Sequence, residues 1–350
     1  MAANVGQMFY TGEVPWHGLG VPLAQAADLD EALKVGGLNW RVEESALLTA
    51  GEPPSPVERR KALVRSDRPP GDKRRVVGVA HQGFRPIQNR EAGLIFDAVF
   101  GQQRRVYHSG GYLGNGEVIW LLARIDRTLR IAGDDIVHPY ALMANSHDGS
   151  IAFNIRLTTI RVVCQNTLAL AMTQRLGQGF RRAHQGTFRE HAAAAQSFFS
   201  ATLRELDAVA DSFTRLAQRR CSDEKLREIL VVLFPEPGMP RNVERNPGLR
   251  RMWEKQVEAA WAARFRITEL FASGKGTELP GSRGTFWGAL NAVVEYVDHH
   301  RKIDQPRIAY ALLGDGMELK NRAFRRMQEE AGTAPVPSGR PHAVATVDRH

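Results

Sequence analysis

The densest run of polar side chains lies between Asn145 and Asn166, and it holds Asn145, Ser146, His147, Asp148, Asn154, Arg156, Arg161, Gln165 and Asn166. From Ala141 to Arg182 five arginines stand against one acid, a local net charge of +4. Guanidinium and amide groups at this density suit contacts to phosphate and base edges. Side chains alternate along a strand. In Ile151 to Leu157 the apolar Ile151, Phe153, Ile155 and Leu157 therefore take one face, and Asn154 and Arg156 the other. Gln165 and Asn166 are expected to open a helix running to Met172, presenting amides and free N–H groups to an anion. The plain alternative is hairpin chemistry, with Asp148-Gly149 as the tight turn, Asn145 and Ser146 bonded to local backbone and Arg156 solvated.

Other chemistries fit less well. A His-Asp pair serves metal-dependent phosphohydrolases from a helix with further ligands at helical spacing. His147-Asp148 falls in a predicted turn, and His81, His108, His138, His184, His299 and His300 show no ligand spacing. Cys164 sits in the apolar run Val162-Val163-Cys164 and reads as a buried small hydrophobe. Glu318-Leu319-Lys320 after Asp315 opens a helix, where the nuclease arrangement needs a strand. The glycine-rich stretch from Gly110 to Gly116 lacks the Lys-Ser/Thr of a phosphate loop and precedes a strand. No catalytic set assembles, so no catalytic residue, metal or cofactor is assigned.

Composition bounds the positioning elements. Of 350 residues 43% are apolar and 24% charged, which is enough for a folded core. No apolar run approaches the length of a membrane-spanning helix. Two cysteines, Cys164 and Cys221, make no disulfide framework, and a cytoplasmic location is expected. The net charge of +9, carried by 39 arginines and 8 lysines, permits a polyanionic partner.

The pattern predicts an α+β class: a curved antiparallel sheet with helices over residues 1–185, an all-α half over 186–330 and a disordered tail over 331–350. Asp28 or Asp30 caps a short first helix. Trp40 to Leu48, Arg75 to Ala80, Glu117 to Ile125, Tyr140 to Ala144 and Ser150 to Leu157 read as strands, and Asn89 caps a helix from Arg90 to Phe100. Gly51 to Arg75, with five prolines and eight basic residues, reads as a flexible basic insertion. In the helical half Phe199, Leu203, Leu206, Ala210, Phe213 and Ala217 recur at 4,3,4,3,4, a seam for an intrachain bundle or a homo-oligomer. Trp253, Val257, Ala260, Ala263, Ile267 and Leu270 line one helix, and Phe286 to Val297 another.

Several short stretches together resemble a known family. They are Pro15-Trp16-His17-Gly18-Leu19-Gly20; Phe84-Arg85-Pro86-Ile87-Gln88-Asn89; Asn145-Ser146-His147-Asp148-Gly149-Ser150; Ile160 to Leu168; and Trp287 to His299. In this order they are similar to the phage/plasmid-like proteins of domain-of-unknown-function family 932. The resemblance implies no established activity. It implies a context of phages, plasmids and integrating elements. Separately, the predicted α+β half, a curved sheet beside helices with a polar Arg/Asn face, resembles at fold level the phage single-strand annealing proteins, which need no nucleotide.

The expectation is a nucleic-acid-binding protein of a mobile element, with single-stranded DNA as the favoured partner and no membrane partner. Its surface would comprise Arg85, Gln88, Asn89, Asn145, His147, Asn154, Arg156, Arg161, Gln165 and Asn166. Phe84, Tyr112 and Trp120 are the stacking candidates. The alternatives are a metal-dependent nuclease or phosphohydrolase using His147 and Asp148, and a structural or interaction protein built on the helical half.

Overall fold

A computed structural model describes residues 5–12, 19–25, 27–100, 106–161, 163, 166–169, 180–182, 188–204, 206–303 and 309–333. The first part runs β1 (Val5–Thr11), β2 (Val21–Leu23), α1 (Leu29–Val35), β3 (Val42–Leu48), β4 (Pro56–Arg65), β5 (Val76–His81) and α2 (Asn89–Phe100). It continues with β6 (Val106–Leu113), β7 (Val118–Arg124), β8 (Leu129–Arg130), β9 (Ile136–Ser146), β10 (Phe153–Arg161), β11 (Asn166–Ala169) and β12 (Phe180–Arg182). Helices follow: α3 (Phe188–Arg204), α4 (Leu206–Gln218), α5 (Asp223–Leu233), α6 (Pro247–Ser273), α7 (Phe286–Glu295) and α8 (Asp315–Glu330). The class is α+β, as the sequence pattern predicts.

The main sheet has the order β11-β10-β9-β7-β6-β1-β2, with β12 on β10 and β8 on β9. All its pairs are antiparallel except β1 with β2. The register lines up Phe9, Gly110, Leu121, Met143 and Ile155 across five strands on one face. The adjacent row, on the other face, is Met8, Gly111, Trp120, Ala144 and Asn154. Gly111 is glycine because a Cβ there would run into Gln7 O and Met8 of the neighbouring strand.

Alternation within β10 holds as expected, but both faces of the sheet are covered. One face belongs to an apolar cluster that runs from Phe9 through Phe96, Phe153, Phe199 and Phe213 to Trp287, Phe324 and Ala331, so it joins sheet and helices. The other carries Met8, Leu113, Trp120, Leu122, Tyr140 and Leu142, with Leu312 and Leu313 packed on them. Burying each such side chain stabilises by about 1.5–3 kcal/mol.

The 51–75 stretch is not a flexible insertion. Its middle is β4, the central strand of a second sheet of order β3-β4-β5. Ala62, Leu63 and Val64 supply a buried apolar run. The prolines stay outside the strand or at its first residue, where no ladder N–H is lost. Four of the eight basic residues, Lys61, Arg65, Arg68 and Arg74, form ion pairs. Lys61 Nζ meets Glu44 Oε1 at 2.7 Å. Arg65 donates to both Asp67 oxygens at 2.9 and 2.8 Å and lies over the Trp40 ring at 4.4 Å.

In α1 the Asp28 side chain accepts from Glu31 N, as predicted. The helix expected from Gln165 does not start there, because Asn166–Ala169 is β11, paired with Thr158–Arg161 of β10. The Phe199–Ala217 seam falls on α3 and α4, and Phe199, Leu206, Phe213 and Ala217 are buried in the main cluster. Pro15 to Gly18 of the N-terminal motif, and the tail beyond Thr333, lie outside the described residues.

Candidate functional site

Five of the ten predicted site residues fall in two polar nodes: Gln88, Asn89, Asn145 and His147 in one, Arg161 in the other. The first joins the segment before α2 to the β9–β10 turn. Asn89 opens α2, but its amide does not cap the helix. Its Nδ2 donates to Leu38 O at 3.1 Å and Trp40 O at 3.3 Å, and its Oδ1 lies 2.9 Å from His147 Nε2. Gln88 brackets the backbone of Val42, accepting from its N at 2.8 Å and donating to its O at 3.0 Å. Asn145 Nδ2 donates to Ile87 O at 3.3 Å. Trp40 meets the His147 ring edge-on at a centroid distance of 5.4 Å.

Asn89, Asn145 and His147 have essentially no exposed surface. Their bonds tie the segments before β3 and α2 to the end of β9, while Asn145 Oδ1 accepts no hydrogen bond among the described residues. Backbone without regular pairing must find other partners, and these amides supply them. The predicted turn is real: Asp148 Oδ1 accepts from Ser150 N at 2.9 Å and Oγ at 2.6 Å.

The second node is ionic. Arg161 donates to Asp135 Oδ1 at 2.8 Å and Oδ2 at 2.6 Å, and to Gly276 O and Ser282 Oγ at 3.1 and 2.6 Å. Trp287 Nε1 donates to the same Asp135 at 2.8 Å. Arg161 is 3% exposed, which corrects the expectation that it faces a nucleic acid. A charge this deep is retained because its donors are satisfied. Asp135 went unread in the sequence: one of two adjacent loop aspartates carries no signal until Arg161 and Trp287 close on it.

The other predicted residues scatter. Arg85 is exposed. Asn154 is fully buried on the covered face, its Nδ2 donating to Ala152 O at 2.7 Å. Arg156 is half-buried and places Nη1 2.8 Å from Met317 Sδ of α8. Asn166 lies in β11, and Gln165 lies outside the described residues. Of the stacking candidates, Trp120 and Tyr112 are buried and Phe84 half-buried. A strand aromatic's local sequence does not tell which face of the sheet other segments cover.

His147 and Asp148 do not assemble a metal centre. Among the described residues no group of three His, Cys, Asp or Glu side chains is placed to hold an ion. Cys164 lies outside the described residues. Cys221 is buried, and burial, reinforced by Asp223, pushes its thiol up to about 12, so it is no thiolate nucleophile at neutral pH.

The exposed chemistry lies on α6 and the segment before it. Pro247 occupies the first helical position, and Asn246 Oδ1 accepts from Gly248 N at 3.0 Å and Leu249 N at 3.1 Å. Ala260, Ala263, Ile267, Leu270 and Phe271 bury one face. Trp261 and Phe265 point away from it, one turn apart, at 58% and 69% exposure. Arg264 is fixed beside them by Phe234 O at 2.9 and 2.7 Å and lies 5.6 Å from the Trp261 ring centre. Arg241, Arg245, Arg250 and Arg251 are exposed at the near end. Residues 241–266 hold seven basic side chains against three glutamates, a net of +4. The sequence did contain a signal: Trp261 and Phe265 fall outside the helical face formed by Ala260, Ala263, Ile267 and Leu270.

Fold and surface together define an α+β protein in which a two-faced antiparallel sheet is clasped by a helical half. The chain belongs to the family described as domain of unknown function DUF932, whose model matches residues 76–333. The match takes in β5 to α8, and so Arg161, Asp135, Trp287 and α6, and leaves β1 to β4 outside. No curated protein and no solved structure matches the chain.

Proposed function

We propose that this protein binds single-stranded nucleic acid, with DNA favoured, without a nucleotide cofactor, and that α6 carries the contact surface. The observation that carries the reading is the exposure of Trp261 and Phe265 on adjacent turns of a helix whose N-terminal end, about 15 Å away along the axis, carries exposed Arg250 and Arg251. Bases stack on aromatic side chains with about 1–3 kcal/mol each, and the stacking tolerates sequence because every base has a π-face. Arginines alongside engage phosphates. The net charge of +9 draws a polyanion to the whole molecule. Resemblance to phage- and plasmid-borne proteins supports a role in DNA recombination or annealing on a mobile element.

The test is fluorescence anisotropy with labelled oligothymidine, oligoadenosine RNA and duplex DNA. Trp261→Ala with Phe265→Ala is expected to weaken single-strand binding by roughly 30-fold or more, from two lost stacking contacts. Absence of binding by the unmodified chain, or equal binding by the double variant, overturns the reading.

A second reading, a protein-interaction surface, draws on the same aromatics together with exposed Val231, Val232 and Met239. It predicts self-association or partner capture that responds to Phe265→Ala while oligonucleotides have no effect.

A further inference from the structure

A separate pocket of about 340 Å³ opens between the C-terminal end of α6 and the end of α7. That volume falls in the range of small-molecule sites, roughly 300–1,000 Å³. Its construction depends on a break in helical geometry. After Glu295 the chain makes a π-turn over Tyr296–His300. In an α-helix residues five apart point about 140° away from each other. The wider turn instead stacks His300 over Glu295, with Nε2 3.7 Å from Oε1. π-turns inside helices recur at functional sites.

The Glu295 carboxylate is buried and is oriented from its other side by the backbone N–H of Lys275 at 3.1 Å. Gly274 leaves room for this: a Cβ there would lie 2.8 Å from Glu295 Oε2. Around the same space stand Arg266, Lys275, His299 and His300, with Leu270 as an apolar wall. Arg266 Nη1 also meets Glu269 Oε2 at 3.0 Å, which aims the guanidinium without burying it.

Four nitrogen-bearing side chains around one carboxylate distinguish two parts of a ligand. Guanidinium, ammonium and imidazole groups donate to phosphate oxygens, whereas a carboxylate accepts only from donors such as hydroxyls. Glu295 retains acceptor capacity beyond the Lys275 N–H it accepts from, with the His300 ring 3.7 Å from its other oxygen, since a carboxylate offers about four lone-pair sites.

We propose that this pocket binds a phosphate monoester on a hydroxyl-bearing sugar, with Arg266, Lys275, His299 and His300 around the phosphate and Glu295 taking a sugar hydroxyl. The chemistry has two sources, a free sugar phosphate or nucleotide and the 5′-phosphorylated end of a nucleic-acid strand. The site is independent of the α6 aromatics, so its test stands whether or not Trp261 and Phe265 stack bases.

Calorimetric titration of the full chain with ribose 5-phosphate, ribose, inorganic phosphate, and oligothymidine with and without a 5′-phosphate decides it. Ribose 5-phosphate is expected to bind saturably where ribose does not. Arg266→Ala with Lys275→Ala is expected to weaken that binding by roughly tenfold or more, about 1.4 kcal/mol, with an unchanged melting temperature, because both side chains reach solvent. Glu295→Gln is expected to weaken ribose 5-phosphate and spare inorganic phosphate. Binding of the 5′-phosphorylated oligonucleotide alone, lost in the Arg266/Lys275 variant, upholds the pocket and names the strand end as its ligand. Failure of every phosphorylated probe to bind, or equal binding by the Arg266/Lys275 variant, overturns it.

Discussion

Arg161 and Trp287 share one carboxylate oxygen: Oδ2 of Asp135 accepts from Arg161 Nη2 at 2.6 Å and from Trp287 Nε1 at 2.8 Å. The first belongs to the end of β10 and the second to the first turn of α7, so the contact ties sheet to helices. The Arg161 guanidinium also lies 5.6 Å from the Trp287 ring centre. Three side chains far apart in the chain thereby form one closed polar unit inside an apolar cluster.

Removing Arg161 leaves the Asp135 carboxylate buried without its ion-pair partner. Arg161→Ala is expected to destabilise by about 3–5 kcal/mol. Urea unfolding followed by circular dichroism measures it. A loss below 1 kcal/mol, read with the ~1–3 kcal/mol expected for an unsatisfied buried group, would contradict the structural role. Arg161→Glu, the substitution suited to an exposed phosphate-binding arginine, is expected to unfold the chain.

His147→Ala leaves Asn89 Oδ1 without its 2.9 Å partner in a buried site. The expected cost is about 1–3 kcal/mol of stability. Asp148→Ala, at an exposed turn, is expected to change stability by less than about 1 kcal/mol. Thermal melts of both variants check the contrast. Equal shifts would show that the turn, not the Asn89 contact, holds this segment.

Salt dependence separates phosphate contacts from stacking. Each phosphate neutralised on a single strand contributes about −0.7 to the slope of log affinity against log salt. Arg250→Gln with Arg251→Gln is expected to flatten the slope by roughly 1.4 if each side chain holds one phosphate. Trp261→Ala is expected to lower affinity at every salt concentration and leave the slope unchanged. Identical slopes for the arginine variant and the unmodified chain would remove those arginines from the contact.

The Cys221 thiol titrates at about 12, so at pH 8 it is protonated. Burial, the largest cause, disfavours the thiolate, and Asp223 adds to it. Peptide mapping after iodoacetamide treatment is expected to find Cys221 unmodified in the native chain and alkylated in urea. Raising the pH from 7 to 9 is expected to leave native labelling negligible, because both values lie well below the thiol's titration point. Native alkylation at pH 8 would show that the site opens to solvent.

The sequence by itself determined several local elements and their faces, though not β4 or β11. Strict alternation in Ile151 to Leu157 put Asn154 and Arg156 opposite Phe153 and Ile155, and the register bears this out. Asp28 capped its helix, and Asp148-Gly149 made its turn, because these signals act within a few residues. The α+β class followed from the change of hydrophobic period along the chain.

Tertiary structure alone decided which polar residues see water. Met317 of α8 meets Arg156, Leu312 and Leu313 pack on the same face of the sheet, and Asp135 draws Arg161 inward. Lys61 is neutralised by Glu44, which the pairing of β3 with β4 brings to it. In the same way α6 buries Ala260 and Ile267 and leaves Trp261 and Phe265 outside. A polar cluster in sequence is equally compatible with a ligand surface and with an internal network, because the cost of burying each group depends on whether distant segments supply its hydrogen-bond partners. Those partners are chosen by the packing of the whole chain, so their identity is not encoded in any local pattern.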